Sequence, residues 1–97
     1  MLVRIVRMTF QIDKVADFHT IFRQSQPIIR SFPGCLHVEL LQDADNPVIY
    51  STLSHWENAA ALEAYRQSDF FRDTWSKTKI LFSDKPIAFS LYPVTIS

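Results

Sequence analysis

The chain has 97 residues, room for one domain of the usual size of about 100–150 residues. Hydrophobic residues make up 47% and aromatics 13%, which excludes a disordered segment. Ten basic residues stand against ten acidic ones for a formal charge of zero; this excludes the basic field of a nucleic-acid binder, and no Lys/Arg block marks a membrane surface.

Residues 2–10 (LVRIVRMTF) alternate loosely and are rich in Val, Ile and Phe, which predicts a strand. Arg4 and Arg7 interrupt its apolar run, so it reads as neither a signal peptide nor a membrane span. Asp13 is placed to cap a helix on which Val15, Phe18, Phe22, Ser25 and Ile29 draw one stripe. Pro27 falls inside that stripe and removes a backbone donor, predicting a kink or a shortened end. Phe32, Pro33 and Gly34 stop the helix, and Gly34, the only glycine, is expected at positive φ. Residues 35–42 (CLHVELLQ) read as a second strand, with Leu36, Val38 and Leu40 on one face and Cys35, His37, Glu39 and Leu41 on the other. Turn residues 43–47 join it to a third strand, 48–56, as an antiparallel hairpin. Glu57 and Asn58 open a helix with Leu62 and Tyr65 inward, and Ser68 and Asp69 look like a second cap. Phe71, Trp75, Thr78 and Phe82 follow at helical spacing, so 57–82 holds two helices or one bent one. Lys85 and Pro86 lead into a last strand, 87–92.

This order predicts an α+β fold over residues 1–97: a four-stranded antiparallel sheet with helices on one face. The other sheet face carries too many apolar residues for water, and a second copy of the same sheet would cover it. A chain of this length buries only about 60–65% of its surface, which agrees with a surplus of bulky side chains that need a partner or a pocket. Cys35, the single cysteine, cannot form an internal disulfide, and no Cys/His set has zinc spacing, so no metal is expected. The expectation is a soluble, cytoplasmic, oligomeric domain.

The run SHWENAAALEAYRQSDFFRDTW, residues 54–75, resembles the stretch after the third strand in the antibiotic biosynthesis monooxygenase family. The matching features are Trp56 at the strand end, Ala61-Leu62 in the helix, then Tyr65, Ser68-Asp69 and Phe71; Phe32 to Cys35 (FPGC) matches the family's turn before strand two. The resemblance implies a ferredoxin-like βαββαβ monomer that pairs sheet to sheet as a dimeric α+β barrel. It implies two further possibilities for activity, oxidation of aromatic molecules by oxygen without metal or flavin, or haem degradation. The catalytic Asn, Trp and His of the haem-degrading branch align with Val6, Tyr65 and Trp75, and all three differ, so haem degradation is disfavoured.

A cofactor-free oxygenase needs a base, a dry pocket and a donor for the developing oxyanion. His37 with Glu39 on the same strand face is the leading base candidate, and the alternative is that both lie on the dimer face, paired together or with Arg7. The resemblance, through the alignment at Val6, implies that Arg4 turns toward the helices, where it would bind a substrate oxyanion or carboxylate; the alternative is an arginine snorkelling at the strand end. Tyr65, Trp75 and Phe22 are expected to line the substrate cleft, with Tyr65 as a catalytic donor and Trp75 offering an indole N–H; the alternative is that these rings simply pack in the core. His55 is expected at the pocket rim or in a local hydrogen bond, and His19 in solvent. The partners read from this set are a second copy of the chain, a small aromatic substrate and molecular oxygen. A non-catalytic dimeric binding or stress-associated module using the same cleft is the competing reading.

Overall fold

The computed structural model describes residues 1–96. Strand β1 (Leu2–Thr9) is followed by a 3-10 turn (Ile12–Lys14) and helix α1 (Val15–Arg30). The hairpin β2 (Cys35–Gln42) and β3 (Ile49–Trp56) leads to helices α2 (Ala59–Arg66) and α3 (Asp69–Lys79), and β4 (Ile87–Leu91) ends the sheet. The strand order is β2-β3-β1-β4 with antiparallel neighbours throughout. This is the expected α+β, ferredoxin-like arrangement, with the second helical region divided in two.

Local chemistry explains most boundaries. Asn58 caps α2 by accepting from the Ala61 backbone N–H at 2.8 Å, and Ser68 caps α3 by accepting from Phe71 at 3.1 Å. Ser68 is why the region is two helices and not one. Asp13, by contrast, does not cap α1: it lies within the 3-10 turn, and Lys14 occupies the cap position without a side-chain bond. Helix α1 also runs through Pro27 to Arg30. Pro27 is exposed, so the carbonyl deprived of its donor faces water. Gly34 has φ +84, as expected for the only glycine, and its carbonyl accepts from Glu57 N–H at 2.8 Å.

Strand β2 departs from simple alternation. A register shift between Cys35 and His37 puts Cys35 on the buried side with Val38, and leaves Leu36 exposed. Cys35 and Leu36 are therefore on the opposite faces from those that strict alternation predicts. Tyr92 lies beyond the last strand and is 69% exposed.

The core under the helices is split. One cluster joins Leu2, Ile29, Cys35, Val38, Trp56 and Leu62; another joins Met8, Phe10, Phe18, Tyr50 and Leu81. Phe10 stacks on Phe18 with ring centroids 4.2 Å apart and holds the far cluster. Burying such a side chain contributes on the order of 1.5–3 kcal/mol. Phe22 touches both clusters, and the space it spans is not filled.

Candidate functional site

Between the two clusters lies a cavity of about 270 Å³. An apolar gap of this size forfeits packing contacts on every wall, so it marks a ligand site more readily than a defect. Its floor is the helix-facing side of the sheet, where alternation presents Arg4, Val6 and Met8 from β1 and Thr52 and Ser54 from β3. Its roof uses helical spacing. Leu62, Tyr65 and Arg66 share one face of α2, and Phe71, Thr74, Trp75 and Thr78 share one face of α3.

The aromatic side of the cavity is continuous. Tyr65 stacks on Trp56 at 5.2 Å and meets Phe71 edge-on at 5.2 Å; Phe71 lies parallel to Trp75 at 6.0 Å. Several hydroxyl and indole groups are already paired. Trp56 Nε1 donates to Ser54 Oγ, Thr78 donates to the Thr74 carbonyl, and Ser25 donates to the Ile21 carbonyl. The Tyr65 hydroxyl and the Trp75 indole N–H have no hydrogen-bond partner among the described residues. No buried side-chain polar atom is left unsatisfied among those residues, so both of these groups keep some accessible surface, on residues that line the cavity.

Charge enters at the sheet end. Arg4 donates to Ser90 Oγ at 3.1 Å, and Arg66 donates to Glu63 Oε2 at 3.2 Å. Burial lowers the Arg4 pKa, the neighbouring Arg66 lowers it further, and Glu63 partly offsets both. Burial pushes the Tyr65 phenol well above its ordinary value, with Cys35 adding to the effect. Tyr65 is thus a proton donor that stays protonated. None of the cavity-lining residues is a histidine or a carboxylate.

The structure brings together five of the eight residues singled out from sequence: Arg4, Val6, Phe22, Tyr65 and Trp75 all line the cavity. It separates the other three. Thr52, Ser54 and Trp56 face the helices, so His55 faces away, and the register pairs His37 with His55 and Glu39 with Leu53 on that outer side. His37 and Glu39 do pair, at 3.4 Å, and the His37 and His55 rings lie 5.4 Å apart. The expected base pair is therefore outside the cleft, on the face proposed for a partner subunit. His19 is exposed but bonded, 3.0 Å from the Tyr50 hydroxyl, not simply solvated. Arg66 escaped the sequence reading, although its place four residues after Leu62 on an inward face was the signal.

Among the described residues no three His, Cys, Asp or Glu side chains converge on a metal position, and no helix is long and apolar enough to cross a membrane. Val6, Tyr65 and Trp75, the positions aligned with the haem-degrading set, do meet in the cavity, but without an imidazole among them.

No curated protein is significantly similar in sequence. Among solved structures, an antibiotic biosynthesis monooxygenase superposes with a TM-score of 0.91 at 18% identity, covering 98% of this chain and 100% of that one. A protein from Mycobacterium tuberculosis gives 0.89 at 17%, covering 99% and 97%, and one from Pseudomonas aeruginosa gives 0.85 at 21%, covering 97% and 94%. At these identities the structures establish the fold. The profile of the antibiotic biosynthesis monooxygenase family matches residues 1–76, which include β1, α1, the β2–β3 hairpin, α2 and most of α3. With the cavity floor and nearly all of its roof inside that match, the chain belongs to the antibiotic biosynthesis monooxygenase family.

Proposed function

We propose that the protein is a homodimeric monooxygenase that uses molecular oxygen, without a bound cofactor, to oxidise a planar, electron-rich aromatic molecule of the anthrone or hydroquinone type. The observation that carries this reading is the aromatic-walled cavity lined by Arg4 and by Tyr65, whose hydroxyl is unpaired. For an anthrone-like substrate the reaction converts a ring CH2 to C=O. The substrate loses a proton to become an enolate, whose oxygen Arg4 stabilises. The enolate gives its electrons to oxygen, a C–O bond forms, the O–O bond breaks, and water leaves. One CH2 and one O2 yield one C=O and one H2O, so no external reductant is needed. With no histidine or carboxylate on the wall, the first proton passes to solvent, and Tyr65 donates its hydrogen bond to the developing oxygen anion.

A homodimer is supported by the outer sheet face. There Ile5 sits between Leu53 and Phe89, and Val3 beside Leu91, while Ile87, Phe89 and Leu91 are each about half exposed. An apolar face of this kind calls for a cover, and the same face of a second copy is self-complementary. The unpaired Cys35 suits a reducing cytoplasm.

A binding role in the same cleft is the second reading, favoured by the absence of a titratable base on its wall. Oxygen uptake separates the two. Purified protein given a panel of anthrones and hydroquinones is expected to consume oxygen, and Tyr65→Phe to lower kcat by about tenfold or more. Protein that binds these compounds but consumes no oxygen with any of them overturns the oxygenase reading and leaves the binding one.

A further inference from the structure

The cavity mouth holds more positive charge than its immediate neighbours balance. Arg4 from β1 and the exposed Arg66 from α2 both line the cavity, so two arginines from different layers of the fold border it where it meets solvent. Glu63 is the carboxylate paired with Arg66, and it is also held by Gln67, which donates to Glu63 Oε1 at 2.7 Å. Gln67 in turn accepts from Arg72 at 3.0 Å, and Arg72 lies 3.8 Å from Asp69. This chain of polar contacts runs over the exposed surface from the end of α2 to the start of α3. Arg4 is held separately by Ser90 on β4.

We propose that Arg4 and Arg66 form an anion clamp that makes the cavity selective for aromatic ligands bearing a carboxylate, with Glu63 acting as the internal anion that an incoming carboxylate displaces from Arg66. The assignment rests on the cleft being a ligand site, as in the oxygenase reading, but not on any oxygen chemistry there. Three features support it. The interior beyond the mouth is apolar and aromatic, so a planar ring fits there and its charge must stay outside. Guanidinium groups offer forked donors that match a carboxylate in two-point geometry. The two like charges disfavour each other, adding to burial, the larger cause, in lowering the Arg4 pKa, and an anion between them relieves that repulsion. Ser54, Ser25 and Thr78 are already paired, and the unpaired Tyr65 hydroxyl and Trp75 N–H are neutral donors, so the two arginines are where selectivity for an anion is set.

The clamp predicts opposite signs for neighbouring substitutions, which a merely structural i, i+3 pair on α2 would not produce. Binding of 2-naphthoate and of its neutral counterpart 2-naphthalenemethanol is measured by calorimetry on the full-length protein, without oxygen. The wild type is expected to prefer naphthoate by about fivefold to tenfold, a modest figure because both arginines are partly solvated. Arg66→Gln and Arg4→Gln are each expected to abolish that preference, weakening naphthoate by a larger factor than naphthalenemethanol. Glu63→Gln is expected to strengthen naphthoate binding several-fold, because the competing carboxylate is gone. Raising salt from 50 to 500 mM is expected to weaken naphthoate alone. Equal affinity for the two ligands in the wild type, or weaker naphthoate binding in Glu63→Gln with an unchanged circular dichroism spectrum, overturns the clamp. Naphthoate preference without oxygen uptake leaves the clamp standing and the oxygenase reading fallen; oxygen uptake together with equal wild-type affinity for the two ligands does the reverse.

Discussion

Tyr65 and Cys35 are neighbours beneath α2, and burial raises the pKa of both. The native state therefore holds the phenolic proton more tightly than the unfolded chain does. Stability from this source is fully present below about pH 10, the ordinary tyrosine value, and is lost as pH rises from there toward the higher folded value. Urea midpoints taken between pH 9 and pH 11 are expected to fall more steeply for the wild type than for Tyr65→Phe. Cys35 is 5% exposed, and its thiol resists ionisation, so iodoacetamide is expected to label it at least tenfold more slowly in native protein than in urea. Equal rates would show that the thiol is open in the native state. At this scale the sequence was partly legible. Tyr65 and Arg4 stood out because a phenol or a guanidinium in an apolar pattern needs a reason. His37 and Glu39 stood out equally and proved to face the other way, because titratable chemistry says nothing about which side of a pleat a residue occupies.

The turn and helix ends show why some elements could be read and others could not. Ser68 and Asn58 carry their mechanism in their side chains, so their caps were visible in sequence. The shift in β2 was not, because it is fixed by how the strand meets β3, and no residue of the CLH segment signals it. Gly34 could be read as a positive-φ residue, but its second constraint could not. A Cβ built there would come within 2.5 Å of the Ala61 Cβ on α2. Gly34→Ala therefore meets both backbone strain and a clash with the helix that carries Tyr65 and Arg66, and is expected to cost about 2 kcal/mol or more. Urea denaturation checks this. Ala61→Gly alone should cost about 1 kcal/mol, and the double variant should lose less than the sum because the clash is removed. Strict additivity would mean that α2 does not press on the turn.

Across the whole molecule, the sheet divides two tasks between its faces. The inner face borders the cavity and the split core; the outer face presents Ile5, Leu53, Phe89 and Leu91. Phe89→Asp is a clean test of the outer face, since Phe89 is already 42% exposed in the protomer and the fold should tolerate the change. Light scattering is expected to report a dimer for the wild type and a monomer for the variant. A wild-type monomer, or a variant that stays dimeric, would overturn the assignment of this face to a second copy. The general plan of sheet and helices was legible because patterning fixes it. The cavity was not, because an empty volume is set by residues far apart in the chain that fail to meet.

Strand β1 lies at the centre of both tasks. Successive residues Val3, Arg4, Ile5 and Val6 point alternately outward and inward, so one backbone separates the outer patch from the cavity by the thickness of a single layer. In a dimer built on that patch, the strand becomes a shared boundary condition for two binding equilibria. Any coupling between them through this strand is mutual by thermodynamic necessity: whatever factor ligand occupancy imposes on self-association, self-association imposes on ligand binding.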